Sequence, residues 1–186
     1  MAHLDYPPVD DYRIPGTNVF VISCIDLRLA DNLLEFLHHD NLANRYDHFA
    51  LAGAALSYHA GGVHYDLFHH HVLEHYDNFE HWKRSLDDHL QIAVDLHDIR
   101  DVYIVEHEDC GAYKEFLKDG KFTNWEAEIS CHKKFATALA EDLHHKVYHE
   151  KKSGREQETY FLNVHCFIID LRGNVKLLSS PPEQLL

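Results

Sequence analysis

The 186-residue, 21.7 kDa chain has the size of one ordinary domain, and 45% hydrophobic residues give it enough apolar surface for a substantial core, which excludes wholesale disorder. Its formal charge of −14, from 31 acidic against 17 basic residues, argues against a nucleic-acid backbone or an anionic membrane as the main partner. The pI of 5.7 is high for that charge because of 19 histidines, of which roughly a quarter are protonated at pH 7 at an ordinary imidazole pKa. No apolar run reaches the ~18 residues of a membrane span. The opening stretch MAHLDYPPVDDYR lacks the basic and apolar regions of a signal peptide, so the expectation is a soluble, cytoplasmic protein.

In chain order, Asn18–Ile25 is a short β-rich run and predicts a buried strand. Leu29, Leu33, Leu34 and Leu37 follow at helical spacing, and Phe49–Gly53 predicts a second strand ending at a glycine. Residues 57–82 hold seven of the histidines and read as mostly helical after Gly61-Gly62. Within them Phe68, Val72, His75, Phe79 and Trp82 alternate at four- and three-residue spacing, which puts His75 on a packed seam. Leu86, Leu90, Ala93, Val94 and His97 mark another helix face, Val102–Glu106 a third strand, and Gly111 the start of a short helix. Residues 124–150 predict a long amphipathic helix, with the stripe Cys131, Phe135, Leu139, Leu143 and Val147 facing the core. KKSGREQE is a polar linker, Tyr160–Asp170 a fourth strand, and Asn174–Leu178 its hairpin partner across Arg172-Gly173. Strands alternating with helices, without repeats or a second composition regime, predict one α/β domain over residues 1–186, a mostly parallel sheet flanked by helices.

In such sheets, sites form where loops leave the carboxyl ends of strands at the switch point of strand order. Two polar sequences sit there: Cys24-Ile25-Asp26-Leu27-Arg28 after the first strand and His107-Glu108-Asp109-Cys110-Gly111 after the third. Four cysteines are too few for a disulfide scaffold, and two of them, Cys131 and Cys166, read as packing residues. Cys24, His107 and Cys110 remain as two thiols and an imidazole, good Zn²⁺ ligands that leave a fourth tetrahedral position for water. The spacings C-x-D-x-R and H-x-x-C occur together in under about 1% of shuffled sequences of this composition.

These two motifs resemble those of the β-class carbonic anhydrases, particularly short forms without a long N-terminal helical extension. SLDDHLQIAVDLHDIRDVYIVEHEDCGAY is similar to the family's helix, strand and second motif in register, and VHCFIIDLRGNVKLL to its closing strand and hairpin, so the likeness runs roughly over residues 18–178. The resemblance implies zinc on Cys24, His107 and Cys110, with Asp26 and Arg28 as the catalytic dyad beside it. It also implies hydration of CO2 to bicarbonate by a zinc-bound hydroxide, and a homodimer or larger homo-oligomer. Gly53, Ala54 and apolar neighbours would line the substrate pocket. The chain departs from the family where Ala50-Leu51-Ala52-Gly53 stands for Arg-Asn-Ala-Gly, at Glu106, where glycine or histidine is usual, and at Glu108, where Ser or Thr is usual.

Other readings compete. A carbonyl sulfide or carbon disulfide hydrolase would use the same zinc hydroxide and narrow pocket. A non-enzymatic zinc-binding or metal-buffering protein would need only the ligands. His71-Val-Leu-Glu74-His75 also spells the H-x-x-E-H motif of inverted zinc peptidases, and a histidine of this segment could relay protons. Asp26 itself can either reach the metal as a fourth ligand or pair with Arg28.

Overall fold

The computed structural model describes residues 4–60, 64–76, 79–149 and 159–180. Its centre is a five-stranded sheet of β1 (Val19–Ser23), β2 (Tyr46–Ala50), β3 (Asp101–His107), β6 (Asn163–Ile169) and β7 (Val175–Ser179), in the order β2-β1-β3-β6-β7. The first four are parallel and β7 runs antiparallel to β6, as the predicted hairpin requires. A two-residue pair, β4 (Tyr148–His149) and β5 (Thr159–Tyr160), lies apart from this sheet. The helices are α1 (Ala30–His39), α2 (Ala55–Tyr58), α3 (His70–His75), α4 (Phe79–His97), α5 (Gly111–Phe116) and α6 (Trp125–His144), with a 3-10 turn at Tyr65–Leu67. No helix among the described residues is long and apolar enough to cross a membrane.

All five residues of β1 are buried, because a central parallel strand is covered on both faces and so reads as an uninterrupted apolar run. Alternate residues of β3 and β6 face opposite layers. Tyr103 and Phe167 pack on Phe36 of α1, with ring centroids 6.0 and 5.0 Å away. On the other face the Cys166 thiol donates to the Ala136 carbonyl of α6 and Glu106 meets His132 of the same helix. Cys166 is therefore a packing residue, as expected. Asn124 caps α6, its side-chain oxygen accepting the Ala127 N–H at 2.8 Å.

Several expectations shift. The second strand is Tyr46–Ala50, three residues earlier than its apolar signal, because an edge strand is held by backbone pairing to β1 and leaves polar side chains half-exposed. The long helix ends at His144, and Val147 is exposed. Its buried face carries Glu128 and His132 beside Phe135, Ala136, Leu139 and Leu143, while Cys131 is half-buried at the margin. Leu34 is exposed although Leu33 and Leu37 are buried. His97 turns outward to Asp47, 2.6 Å away. Residues 57–82 are broken into short helices, and His75 is exposed rather than packed. The helical phase from Phe68 and Val72 is lost where Tyr76, at ψ 65°, leaves the helix before Phe79 restarts it. Gly61-Gly62 and the linker KKSGREQE lie outside the described residues.

A buried carboxylate ties α1 to the sheet. Asp40, 0% exposed, accepts hydrogen bonds from the Tyr12 and Tyr103 hydroxyls, both at 2.8 Å, and contacts His39 Nδ1 at 2.9 Å. Asp40→Ala would strand two buried hydroxyls at about 1–3 kcal/mol each, so a loss of about 2–6 kcal/mol is expected in urea unfolding. Adding Tyr12→Phe to that variant should recover part of the loss.

Candidate metal centre

The chain leaves β1 toward β2 on one side, while β3 lies on the other, so the crevice between the carboxyl ends of β1 and β3 is the switch point. Ser23 pairs with Val105 across it, which sets Cys24 level with the start of the His107 motif. One ligand atom each from Cys24, His107 and Cys110 lies within 4.8 Å of the others, and all three residues are buried. This is the only such group of three among the described residues. His71, Glu74 and His75 do not form one: His71 turns to Glu115 at 3.4 Å and Glu74 to His70 at 3.3 Å, all on the surface.

Local backbone geometry aims the three side chains. Cys110 is the N-cap residue of α5, in extended conformation, after Asp109 at φ +61°. His107 Nδ1 lies 2.9 Å from the Glu108 carbonyl, to which it donates, so the other nitrogen presents a lone pair. That atom, Nε2, is buried without a hydrogen-bond partner. The Gly53 N–H donates to Cys24 Sγ at 3.3 Å. Gly53 sits at φ +76°, and a Cβ there would stand 2.9 Å from Ala112 Cβ, so glycine serves both the turn and the close approach.

The two sulfurs lie 3.9 Å apart, within S–H···S hydrogen-bond distance. Donation from Cys110 lowers the Cys24 thiol, against burial, and His107 and the Gly53 N–H lower it further. The same contact and burial raise Cys110. Burial disfavours a charged His107, but its contact with Cys24 outweighs that and raises its pKa above the ordinary value. A metal cation would replace the thiol protons and satisfy the orphaned Nε2. Two thiolates and one imidazole are a donor set that suits zinc, so the residues fit this ion.

Asp26 and Arg28 flank the three candidate ligands. Arg28 Nε donates to Asp26 Oδ1 at 3.0 Å, Nη2 to Oδ2 at 2.7 Å, and the Arg28 backbone N–H to Oδ1 at 2.9 Å. This grip holds the Asp26 carboxyl well below the usual carboxylate range. Oδ2 remains 3.9 Å from His107 Nε2, beside the ligands. Asp109, which is not among the residues singled out by the motifs, braces the pair: its carboxylate accepts Arg28 Nη1 at 2.9 Å, its carbonyl accepts Nη2 at 3.0 Å, and Lys114 pairs with it from α5. A signal was available, since an acidic residue inside H-x-x-C must lie beside whatever the loop touches. Glu108 points elsewhere and accepts the Leu171 N–H at the hairpin turn, at 2.9 Å. Ala54 is buried at φ +43°, in the turn between Leu51 and α2.

No family model matches the chain. It is similar to an uncharacterized protein of Rickettsia bellii, 29% identical over 115 residues, which cover 62% of this chain and 60% of that protein. The match thus spans less than two thirds of that relative's own length. A second uncharacterized protein, from Rickettsia conorii, is 24% identical over 166 residues, 89% of this chain and 74% of that one. Among solved structures, the β-carbonic anhydrase CafD of Aspergillus fumigatus superposes with a TM-score of 0.52 at 14% identity, covering 95% of this chain and 99% of its own. At that identity the likeness is one of fold, and the chain shares the mostly parallel, helix-flanked architecture of that β-carbonic anhydrase.

Proposed function

We propose that this chain binds zinc through Cys24, His107 and Cys110 and hydrates CO2 to bicarbonate. The observation that carries the reading is the convergence of those three ligand atoms within 4.8 Å, with an acidic side chain held beside them by arginine. The fold shared with a β-carbonic anhydrase supports it.

Zinc held by Cys24, His107 and Cys110 would supply a Lewis acid that brings the pKa of a water near neutrality. Asp26 Oδ2 would accept the hydrogen bond that orients the attacking water, and Arg28, by its two side-chain hydrogen bonds, would hold Asp26 back from the metal. We assign the substrate side to the Gly53–Ala54 turn, whose Gly53 N–H holds Cys24 Sγ. Leu51, at the position of the family's asparagine, is buried and adds apolar surface there.

Stopped-flow CO2 hydration on zinc-replete protein tests the reading, with sulfide release from carbonyl sulfide and carbon disulfide measured in parallel. Hydration with about one zinc per chain supports it. Faster turnover of the sulfur gases would move the assignment to a hydrolase on the same scaffold. One firmly held zinc and no turnover would leave a binding protein.

Acid should release the metal. A proton and zinc compete for His107 Nε2, and the raised pKa of His107 means that the proton competes from above the ordinary histidine range downward. Zinc affinity should therefore fall progressively as pH drops through and below that pKa, as equilibrium dialysis between pH 8 and 5 would show. The His71→Ala/His75→Ala double variant should give the same curve; a large zinc loss from it at neutral pH would revive the peptidase-like reading.

A further inference from the structure

On the face of the sheet opposite His107 lies a charged cluster shut off from solvent. Glu106 and His132 are 0% exposed and Glu128 is 8% exposed. The Tyr113 ring lies on the His132 imidazole, with centroids 3.7 Å apart, and Phe135 and Leu139 continue the buried face of α6. Charges are costly in such surroundings unless each is paired, and an apolar set of the same volume would often serve stability as well.

The pairing is directional. His132 Nδ1 meets Glu106 Oε2 at 2.9 Å, and His132 Nε2 faces Glu128 Oε1 at 3.8 Å. Burial opposes a protonated His132, but the two carboxylates outweigh it and raise its pKa. Each carboxylate also accepts a backbone N–H from a loop of the site. Glu106 Oε1 takes that of Ala55 at 3.1 Å, and Glu128 Oε1 takes that of Asp109 at 2.7 Å. The first loop carries Gly53, whose N–H bonds Cys24 Sγ, and the second carries the carboxylate and carbonyl that grip Arg28. Ala54 at φ +43° and Asp109 at φ +61° both have a positive φ, which non-glycine residues rarely adopt. Strained backbone of this kind persists where its surroundings over-determine it, and a buried carboxylate on each loop's N–H does that.

We propose that Glu128 and Glu106, joined through His132, are positioning residues of the site, which fix the Asp109 loop with its Arg28–Asp26 pair and the Gly53–Ala54 loop in their working geometry. The catalytic consequence rests on the carbonic-anhydrase-like reading above; the holding of the two loops does not.

Amide hydrogen exchange, read by NMR on zinc-loaded protein, tests this together with zinc content and CO2 hydration kinetics. Glu128→Ala should speed exchange at the Asp109 amide by about tenfold or more while leaving Val21 and Ile22 of β1 unchanged. It should keep about one zinc per chain and lower kcat by about tenfold, with KM moved by less than about twofold. Glu128→Gln retains an acceptor oxygen and should restore both the protection and most of kcat. His132→Ala should release the Asp109 and Ala55 amides together. If it fails to fold, the Glu128 pair of variants still decides the matter. Unchanged exchange at Asp109, uniform acceleration that includes β1, or local loss of protection with normal kcat would each overturn the proposal. Wild-type protein without any CO2 hydration would overturn the functional reading instead, and the exchange measurements would still show whether the cluster holds the loops.

Discussion

Cys24→Ser and Cys110→Ser are each expected to lose most of the bound zinc and to loosen the strand ends around it. A serine hydroxyl is a poor substitute for a thiolate on zinc, and metal binding at a protein-built site is linked to folding, with apparent energies of about 10–16 kcal/mol for complete structural sites. A site with three protein ligands has less to draw on, so removal of one sulfur should be enough for zinc to leave during gel filtration in buffer with a weak chelator. Cys131→Ser is the control. Cys131 is half-buried on α6 and outside the group of three, and burial pushes its thiol up to about 11, so it is not a ready thiolate. Elemental analysis of the three variants should give near-zero, near-zero and about one zinc per chain. Equal loss in all three would sink the ligand assignment.

Arg28→Ala is expected to keep its zinc and lose hydration activity by about 10²–10³-fold, the usual cost of one preorganised polar group at a reacting centre. The arginine makes two side-chain hydrogen bonds to Asp26, and Asp26 Oδ2 stands 3.9 Å from His107 Nε2. Freed from that fork, the carboxylate is close enough to take the fourth ligand position and exclude the nucleophile. A crystal structure of the zinc form should show Asp26 as a ligand. Arg28→Lys should recover only part of the rate, because a single ammonium cannot grip both Asp26 oxygens and the Asp109 loop at once. Adding Asp26→Ala to Arg28→Ala should reopen the fourth position without restoring full rate, since the orienting acceptor is gone. A normal rate in Arg28→Ala would defeat this role and leave the ligand assignment standing.

Much of this architecture was legible in the residues. The buried parallel strands announced themselves as apolar runs, and Val102–Glu106 and Asn18–Ile25 fell on β3 and β1 because both faces of those strands are covered. Cys24, His107 and Cys110 could be singled out because few chemistries need two thiols and an imidazole at paired strand ends, and short-range spacing limits where such side chains can point. Asp26 and Arg28 are two residues apart, so their pairing was a local matter as well.

What the sequence could not decide depended on partners distant along the chain. The edge strand β2 carries little apolar signal because its pairing is made by backbone groups, and His75 looked packed only if one helical phase ran through to Trp82. Glu128 and His132 carry no apolar signal of their own, and only tertiary packing sets them against Glu106, 26 residues before His132, on the buried face of α6. Asp109 became a brace for Arg28 only when β1 and β3 came together across an 81-residue separation. Local chemistry determined which residues could bind a metal, whereas the pairing of β1 with β3 and the seating of α6 on the sheet decided what holds them. A buried charge has no sequence signature apart from the neighbours that neutralise it.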